Sequence, residues 1–275
     1  MKKVLYPILA VVTFLVMQGL ASVIIIGILA VLHPGSLHEI TSKGSPDNIL
    51  NKYPEIISWA VVLSGAATIA VVSLLGMIDW KKTWNGRNIK WTWGGGAIVA
   101  AIAGIFALDI VEEMIDLPNL MEDEFSAMAS SFAGMLSIGV LGPIIEELIF
   151  REGILGHMLR GGMNKWVAIT ASSLVFGIIH LNPAQIPFAT AMGFIFGIIY
   201  YKTGNIVIPV ILHVLNNSNA VWVMYTLGDA AKDFSLVEAL GGNTPAIMLM
   251  ALPGLSCIIY MSIFWKKYQP KRFNK

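Results

Sequence analysis

The sequence predicts an all-α membrane protein, a polytopic bundle of about eight transmembrane helices with both termini in the cytoplasm. Of its 275 residues, 56% are hydrophobic and only 13% are charged, whereas soluble domains carry about 25% charged residues. The shortage of charge extends along the whole chain, which indicates one membrane domain covering residues 1–275. A single cysteine excludes an intrachain disulfide framework and a cysteine-rich metal site.

A transmembrane helix needs about 20 mostly apolar residues, and eight segments meet or approach that length. The first follows a short basic N-terminus but is too long for the core of a signal peptide, so we expect a retained anchor. The fifth and sixth are short and are separated by the turn sequence LNPAQIP. The predicted spans are residues 4–32, 57–78, 91–115, 131–155, 166–181, 187–201, 206–227 and 244–265.

The distribution of lysine and arginine predicts the orientation of these spans. With the N-terminus inside and alternating spans, 15 of the 18 basic residues fall on the cytoplasmic side, and Lys43, Lys52 and Lys232 fall outside. This bias is the one that the positive-inside rule describes. We therefore expect a multi-pass protein of a prokaryotic cytoplasmic membrane, with membrane lipid as a partner. The net charge of +1 gives no indication of nucleic acid binding.

Polar side chains remain inside a few spans, and they converge on similar depths. Glu146 lies 17 residues before Met163 in the RGGMN loop and His180 lies 17 residues after it. In an antiparallel pair of helices, both would lie about 20–25 Å from that turn. His213 and Asn217, on the seventh span, would lie about 13–20 Å from their own turn. Three separate helices thus bring polar groups to comparable levels.

The charged residues of the fourth span are expected to have different partners and different roles. Glu147 and Arg151 have the i,i+4 spacing of a helical ion pair, and a purely structural charge pair is an equally good interpretation of them. Glu146 is rotated by about 100° from Glu147 and is expected to face His180. Glu152 is expected to lie near enough to the cytoplasmic surface to be hydrated.

Together these residue types suit hydrolysis. A carboxylate in a cleft of low polarity suits a general base, and a neighbouring histidine can hold the attacking water. A second histidine and an asparagine can donate to a developing oxyanion. No serine stands beside these histidines as in a catalytic triad, and the HExxH pattern of zinc proteases is absent.

Three short motifs in this part of the chain resemble those of a known family. They are EELIFR (Glu146, Glu147, Arg151), which fits EExxxR, FGIIH (Phe176, His180), which fits FxxxH, and HVLNN (His213, Asn217), which fits HxxxN. In this order and on separate spans, they resemble the CPBP family of CAAX proteases and bacteriocin-processing enzymes, also called the ABI family. The similarity covers about residues 130–220.

The resemblance implies an eight-helix bundle with a cavity that reaches the catalytic groups, and an intramembrane glutamate protease without a cofactor. By that resemblance, Glu146 is the general base that activates water and His180 helps to hold the water. His213 and Asn217 form the oxyanion hole.

The same resemblance makes Glu147 and Arg151 supporting residues and implies a membrane-associated protein or peptide as the substrate. The family includes type II CAAX prenyl endopeptidases, which remove a C-terminal tripeptide after a prenylated cysteine. Its bacterial members are linked to bacteriocin immunity and peptide processing.

Three alternatives stay open from the sequence. Zinc held by Glu146, His180 and His213, with water as the fourth ligand, would support the same hydrolysis. Asn217 favours the metal-free version, because an amide is a good oxyanion donor and a poor zinc ligand. The protein could instead be a non-catalytic immunity or scaffold protein, or a proton-coupled transporter, although paired broken helices typical of inverted repeats are absent.

Overall fold

The computed structural model describes residues 2–32, 53–85, 89–231, 233–269 and 272–273. The predicted all-α class is confirmed, because these ranges contain helices and turns and no strand. The elements are α1 (Lys2–Leu32), α2 (Pro54–Leu74), α3 (Trp80–Thr83), α4 (Trp91–Ile115), α5 (Glu122–Ala129), α6 (Phe132–Arg160), α7 (Lys165–Ile178), α8 (Gln185–Thr203), α9 (Val207–Leu227), a 3₁₀ turn (Gly228–Ala231), α10 (Leu236–Ala239) and α11 (Asn243–Lys267).

Seven helices within the described ranges are long and apolar enough to cross a membrane, namely α1, α2, α4, α6, α8, α9 and α11. The predicted fifth span corresponds to α7, which has 14 residues. Such a helix is about 21 Å long, shorter than the hydrocarbon core of about 30 Å. The predicted outer-side lysines Lys43, Lys52 and Lys232 lie outside the described residues.

Helix α6 lies at the centre of the bundle and contacts α1, α2, α7, α8 and α9. Around it, α1 packs on α2, α7 packs on α8, and α4 packs on α11. Helix α8 is the most buried of the candidate spans, whereas α1 and α11 expose rows of leucine, isoleucine and valine. Polar residues carried by α6 are therefore shielded on several sides.

The winding of α6 is irregular on both sides of its paired glutamates. Segments Ser137–Leu141 and Leu148–Leu155 are π-helical, and the α-helical stretch Gly142–Glu147 lies between them. In a π-helix the hydrogen bonds run from i to i+5, and such segments occur frequently at functional sites. Glu146 and Glu147 are thus the last two residues of the α-helical stretch, directly before the second π-helical segment.

Close contact between α7 and α8 fixes the position of the FxxxH segment. A Cβ atom added at Gly177 would overlap the hydroxyl of Thr190 on α8. Gly193 of α8 in turn lies against Ser173 of α7, where a Cβ atom would approach the Ser173 Cα to 3.2 Å. Glycine at these two positions lets the helices approach closely, as small residues do between membrane helices.

Helix α7 ends earlier than the sequence predicted. It stops at Ile178, Leu181 has a left-handed φ of 54°, and Asn182 precedes Pro183. A residue before proline is disfavoured in the helical conformation. His180 therefore lies in the turn after α7, and the prediction that the helix continues to residue 181 is wrong.

This turn is held in place by a buried asparagine. Asn182 is fully buried, its Oδ1 atom accepts a hydrogen bond from the Leu120 amide at 3.0 Å, and its Nδ2 atom donates to Asn119 Oδ1 at 2.8 Å. The Ala184 amide also donates to the Pro118 carbonyl at 3.2 Å. The segment between α4 and α5 thus anchors the turn that carries His180.

Candidate active site

The six residues predicted to form or support the site come from two long helices and one turn. Helix α6 supplies three of them, the turn after α7 supplies the fourth, and α9 supplies the last two. In order they are Glu146, Glu147 and Arg151, then His180, then His213 and Asn217. The structure brings the α6 and α9 side chains into direct contact and connects His180 to them through an aromatic ring.

The predicted ion pair between Glu147 and Arg151 is present, and both side chains are fully buried. Arg151 Nε lies 3.0 Å from Glu147 Oε2, and Arg151 Nη2 donates to Glu147 Oε1 at 3.4 Å. Buried charges are stable only when they are paired. This contact therefore gives the buried Glu147 carboxylate a cationic partner inside the bundle.

Two phenylalanine rings enclose the Arg151 guanidinium. Its Cζ atom lies 4.7 Å from the ring centroid of Phe176 on α7 and 5.9 Å from that of Phe196 on α8. Phe150 contacts the Phe176 ring edge to face, with centroids 5.1 Å apart. A cation over an aromatic face is stabilised by the ring quadrupole, most strongly where water is excluded.

His213 is nearly fully buried and lies between the two glutamates of α6. Its Nδ1 atom is 3.1 Å from Glu147 Oε1, and its Nε2 atom is 3.8 Å from Glu146 Oε2. An ionised carboxylate can only accept hydrogen bonds, so the Nδ1 atom carries a hydrogen and donates it to Glu147. The Nε2 atom then faces Glu146.

Glu146 keeps one carboxylate oxygen without a hydrogen-bond partner. Its Oε2 atom is buried and unsatisfied, while 27% of the side chain is exposed. No hydrogen bond or ion pair joins Glu146 to His180 in the described part of the chain. The expectation that Glu146 faces His180 is therefore wrong at the level of contacts, because the rotation of α9 places His213 nearer.

His180 is oriented by the backbone of its own segment. The Nδ1 atom lies 2.7 Å from the Phe176 carbonyl oxygen, and the ring meets Phe176 edge to face with centroids 5.0 Å apart. A carbonyl accepts, so Nδ1 donates and the Nε2 atom of the neutral ring is left as an acceptor. The Phe176 ring also lies 5.9 Å from the ring of His213, so it separates the two histidines.

Asn217 contacts the first π-helical segment of α6. Its Nδ2 atom donates to the Ile138 carbonyl at 3.2 Å, and its Oδ1 atom accepts from Asn216 at 3.2 Å. Next to it, Ser218 Oγ donates to the Gly139 carbonyl at 3.1 Å. One amide hydrogen of Asn217 is thus engaged, and the second remains able to donate.

Glu152 differs most from its prediction. It is completely buried, whereas we expected it to be hydrated. Its carboxylate accepts hydrogen bonds from Tyr200 Oη at 2.7 Å, Arg160 Nη1 at 2.7 Å and Arg272 Nη2 at 2.7 Å. The Asp79 amide also donates to it at 3.1 Å. Its position along α6 did not reveal these partners, most of which come from distant parts of the chain.

The alternative zinc set of Glu146, His180 and His213 is not assembled in this geometry. Among the described residues, no group of three or more His, Cys, Asp or Glu side chains is arranged to hold a metal ion. The Nδ1 atoms of both histidines are also engaged, with the Phe176 carbonyl and with Glu147 respectively.

The sequence did not predict that two phenylalanines surround Arg151, although one of them belongs to the FGIIH motif. Phe176 had a signal, since it stands four residues before His180 in the FGIIH segment. Phe196 had none, because it is one apolar residue among many on α8. Both rings also contact His213, with centroid distances of 5.9 and 5.8 Å.

Comparisons with known proteins point to the same region of the chain. Residues 128–219 match the family model described as type II CAAX prenyl endopeptidase Rce1-like. The chain is 29% identical over 172 residues to the "Putative membrane peptidase YdiL" of Bacillus subtilis (strain 168), which covers 59% of this chain and 70% of the relative.

A second relative is the "Membrane-embedded CAAX protease MroQ" of Staphylococcus aureus (strain USA300). It is 33% identical over 89 residues, which cover 30% of this chain and 36% of the relative. No solved structure matches the chain. The matched family segment contains all seven residues named in the three motifs.

Proposed function

We propose that the chain cleaves a membrane-associated protein or peptide by means of a water activated by Glu146. The proposal is supported by the match of residues 128–219 to the Rce1-like family model and by the similarity to two membrane peptidases. The chain is an integral, multi-pass membrane protease of the CAAX type. The glutamate mechanism, the oxyanion hole, the absence of a cofactor and the location in a cytoplasmic membrane are parts of the proposal.

One observation carries the mechanism, namely that the two adjacent glutamates have different partners. The Oε2 atoms of both glutamates are buried and make no hydrogen bond. That of Glu147 lies 3.0 Å from Arg151 Nε, whereas the described ion pairs give that of Glu146 a more distant partner, His213 Nε2 at 3.8 Å. Buried polar atoms are nearly always satisfied in native proteins. An unsatisfied carboxylate oxygen beside a histidine is therefore a good candidate for the general base.

The proposed oxyanion role requires His213 to carry a hydrogen on both ring nitrogens, since its Nδ1 atom already contacts Glu147. With the histidine as a cation, its charge and that of Arg151 offset the two carboxylates, and the buried set is neutral. With a neutral histidine, the set would hold one uncompensated negative charge at a depth where charge is costly. A protonated His213 also supplies a hydrogen on Nε2, which an oxyanion donor needs.

The reaction then proceeds in two steps. A water molecule gives a proton to Glu146, its oxygen bonds to the scissile carbonyl carbon, and the carbonyl π electrons move to the oxygen. His213 Nε2 and the remaining amide hydrogen of Asn217 donate to this oxyanion. The oxyanion electrons then re-form the carbonyl as the carbon–nitrogen bond breaks, and the electron pair of that bond and the proton on Glu146 go to the departing amine. His180 Nε2 accepts a hydrogen bond from the attacking water.

Glu146→Gln tests this proposal, since the amide keeps the size of the side chain and cannot accept a proton. We expect purified protein in phospholipid vesicles to lose cleavage of a fluorogenic farnesylated CAAX peptide down to the uncatalysed background. The matched control is Glu238→Gln, which alters an exposed carboxylate and should cleave at the wild-type rate.

The substrate class is tested separately from the mechanism. Peptides released from membranes of cells that express the wild type or Glu146→Gln can be compared by mass spectrometry. Fragments present with the wild type and absent with the variant would identify the substrate, even if the farnesylated peptide is not cleaved. Identical fragment profiles for the two proteins would refute a catalytic role and favour the scaffold alternative.

A further inference from the structure

A cavity of about 630 Å³ opens at the end of the bundle that carries the loop between α6 and α7. Its volume lies within the usual range for ligand sites. None of its described lining residues belongs to the three motifs, so it is distinct from the candidate active site. These residues are Asp79, Lys82, Leu159, Arg160, Gly161, Gly162, Met163, Lys165, Tyr201, Arg272 and Phe273.

Positive charge exceeds negative charge in the wall of this cavity. The four cations are Lys82, Arg160, Lys165 and Arg272, and the single acid among the described lining residues is Asp79. Behind the wall, buried Glu152 accounts for a second negative charge. The described residues thus leave an excess of two positive charges.

The cations of the wall differ in how far they are already neutralised. Arg160 and Arg272 both contact Glu152 at 2.7 Å, so they are held in fixed positions. Lys82 lies 3.5 Å from Asp79 and is largely exposed. Lys165 has no carboxylate partner among the described residues and lies 5.2 Å from the Trp265 ring. The two lysines are therefore the groups best able to take an added anion.

The cavity lies at the level where lipid headgroups are expected. Asp79 is followed directly by Trp80, and Lys165 is followed directly by Trp166, and both tryptophans are exposed at this end of the bundle. Exposed tryptophan is enriched at the boundary between membrane and water. Basic pockets between helices at this level are typical sites for anionic headgroups.

We propose that this cavity binds the phosphate of a membrane lipid whose headgroup has a net negative charge. Arg160 and Arg272 form its rigid floor, and Lys82 and Lys165 contact the phosphate oxygens. The lipid is favoured over a free phosphate ion because the cavity opens at the tryptophan level. The proposal does not depend on the proposed protease activity.

Binding of short-chain lipids to the purified protein in a neutral detergent tests the proposal. We expect dihexanoyl-phosphatidylglycerol to bind and to raise the midpoint of thermal unfolding, and dihexanoyl-phosphatidylcholine to do neither. Added salt should weaken the binding of the anionic lipid, because exposed charges are screened. Equal binding of the two lipids would overturn the proposal. If inorganic phosphate binds as tightly as the anionic lipid, the proposal that the bound phosphate belongs to a lipid is refuted.

Variants of the two lysines test whether the anionic lipid binds in this cavity. Each of Lys82→Gln and Lys165→Gln should weaken the affinity for phosphatidylglycerol about fivefold, and the double variant about 25-fold. Lys266→Gln is the matched control, because it removes an exposed cation that does not line the cavity. Wild-type affinity in the double variant would refute this site, as would an equal loss in the control.

Discussion

Replacement of Arg151 by methionine gives the most direct test of the buried ion pair. Methionine keeps an unbranched side chain of similar length but leaves the fully buried Glu147 with His213 as its remaining partner. Removal of one member of a buried pair costs about 3–5 kcal/mol, and loss of the contact with the Phe176 ring adds to this. We expect the free energy of unfolding to fall by about 3–5 kcal/mol.

A double variant, in which the partner of Arg151 is also made neutral, restores the balance of charge. In Arg151→Met combined with Glu147→Gln, the amide oxygen can still accept from His213 and no uncompensated charge remains. Replacement of a complete buried pair by neutral groups is often close to neutral, so the double variant should recover most of the lost stability. The free energy of unfolding of the single and the double variant can be measured in mixed micelles with sodium dodecyl sulfate, with unfolding followed by tryptophan fluorescence. A single variant within about 1 kcal/mol of the wild type, well below the cost of an unpaired buried charge, would refute the reasoning. A double variant no more stable than the single one would do the same.

Three further predictions concern turnover. His180→Ala should reduce cleavage to background while the yield of folded protein stays normal, and wild-type cleavage would contradict its role in holding water. Asn217→Ala should lower kcat about 10²–10³-fold if its amide stabilises the oxyanion, whereas a change confined to KM would contradict that role. Cleavage should survive thorough chelation in protein without stoichiometric metal. Loss of cleavage that is restored by zinc would instead support ligation by Glu146, His180 and His213.

The long spans could be predicted from composition because lipid imposes a strict condition on the backbone. Every backbone polar group in the hydrocarbon must be satisfied internally, so an apolar run of sufficient length becomes a helix. The predicted span 91–115 and helix Trp91–Ile115 agree, and 206–227 differs from Val207–Leu227 by one residue. The second span was placed too late, because the apolar run continues past Leu74 through Gly76, which has a φ of 68°.

The spacing of residues along one helix also predicted part of the site. It could not predict contacts between side chains on different helices. The i,i+4 rule gave the contact between Glu147 and Arg151, since both residues lie on one helix. The pairing of His213 with both glutamates depends on how α9 is rotated against α6. The π-helical segments of α6 change that rotation locally, and hydrophobic periodicity does not reveal them. The contact between Glu152 and Arg272 spans 120 positions in the chain, so no local pattern predicts it.

The charges of α6 are best understood as two balanced clusters at different levels of one helix. In the first, Arg151 and the imidazolium that the proposed mechanism assigns to His213 offset Glu146 and Glu147. In the second, two arginines offset two acids, and its members are Asp79, Glu152, Arg160 and Arg272. Because a buried cluster tolerates little net charge, a change of charge at one position must be offset within the same cluster. In the first cluster, transfer of a proton from water to Glu146 removes one negative charge, and the oxyanion that forms beside His213 replaces it. The cluster therefore keeps its net charge while the peptide bond is attacked.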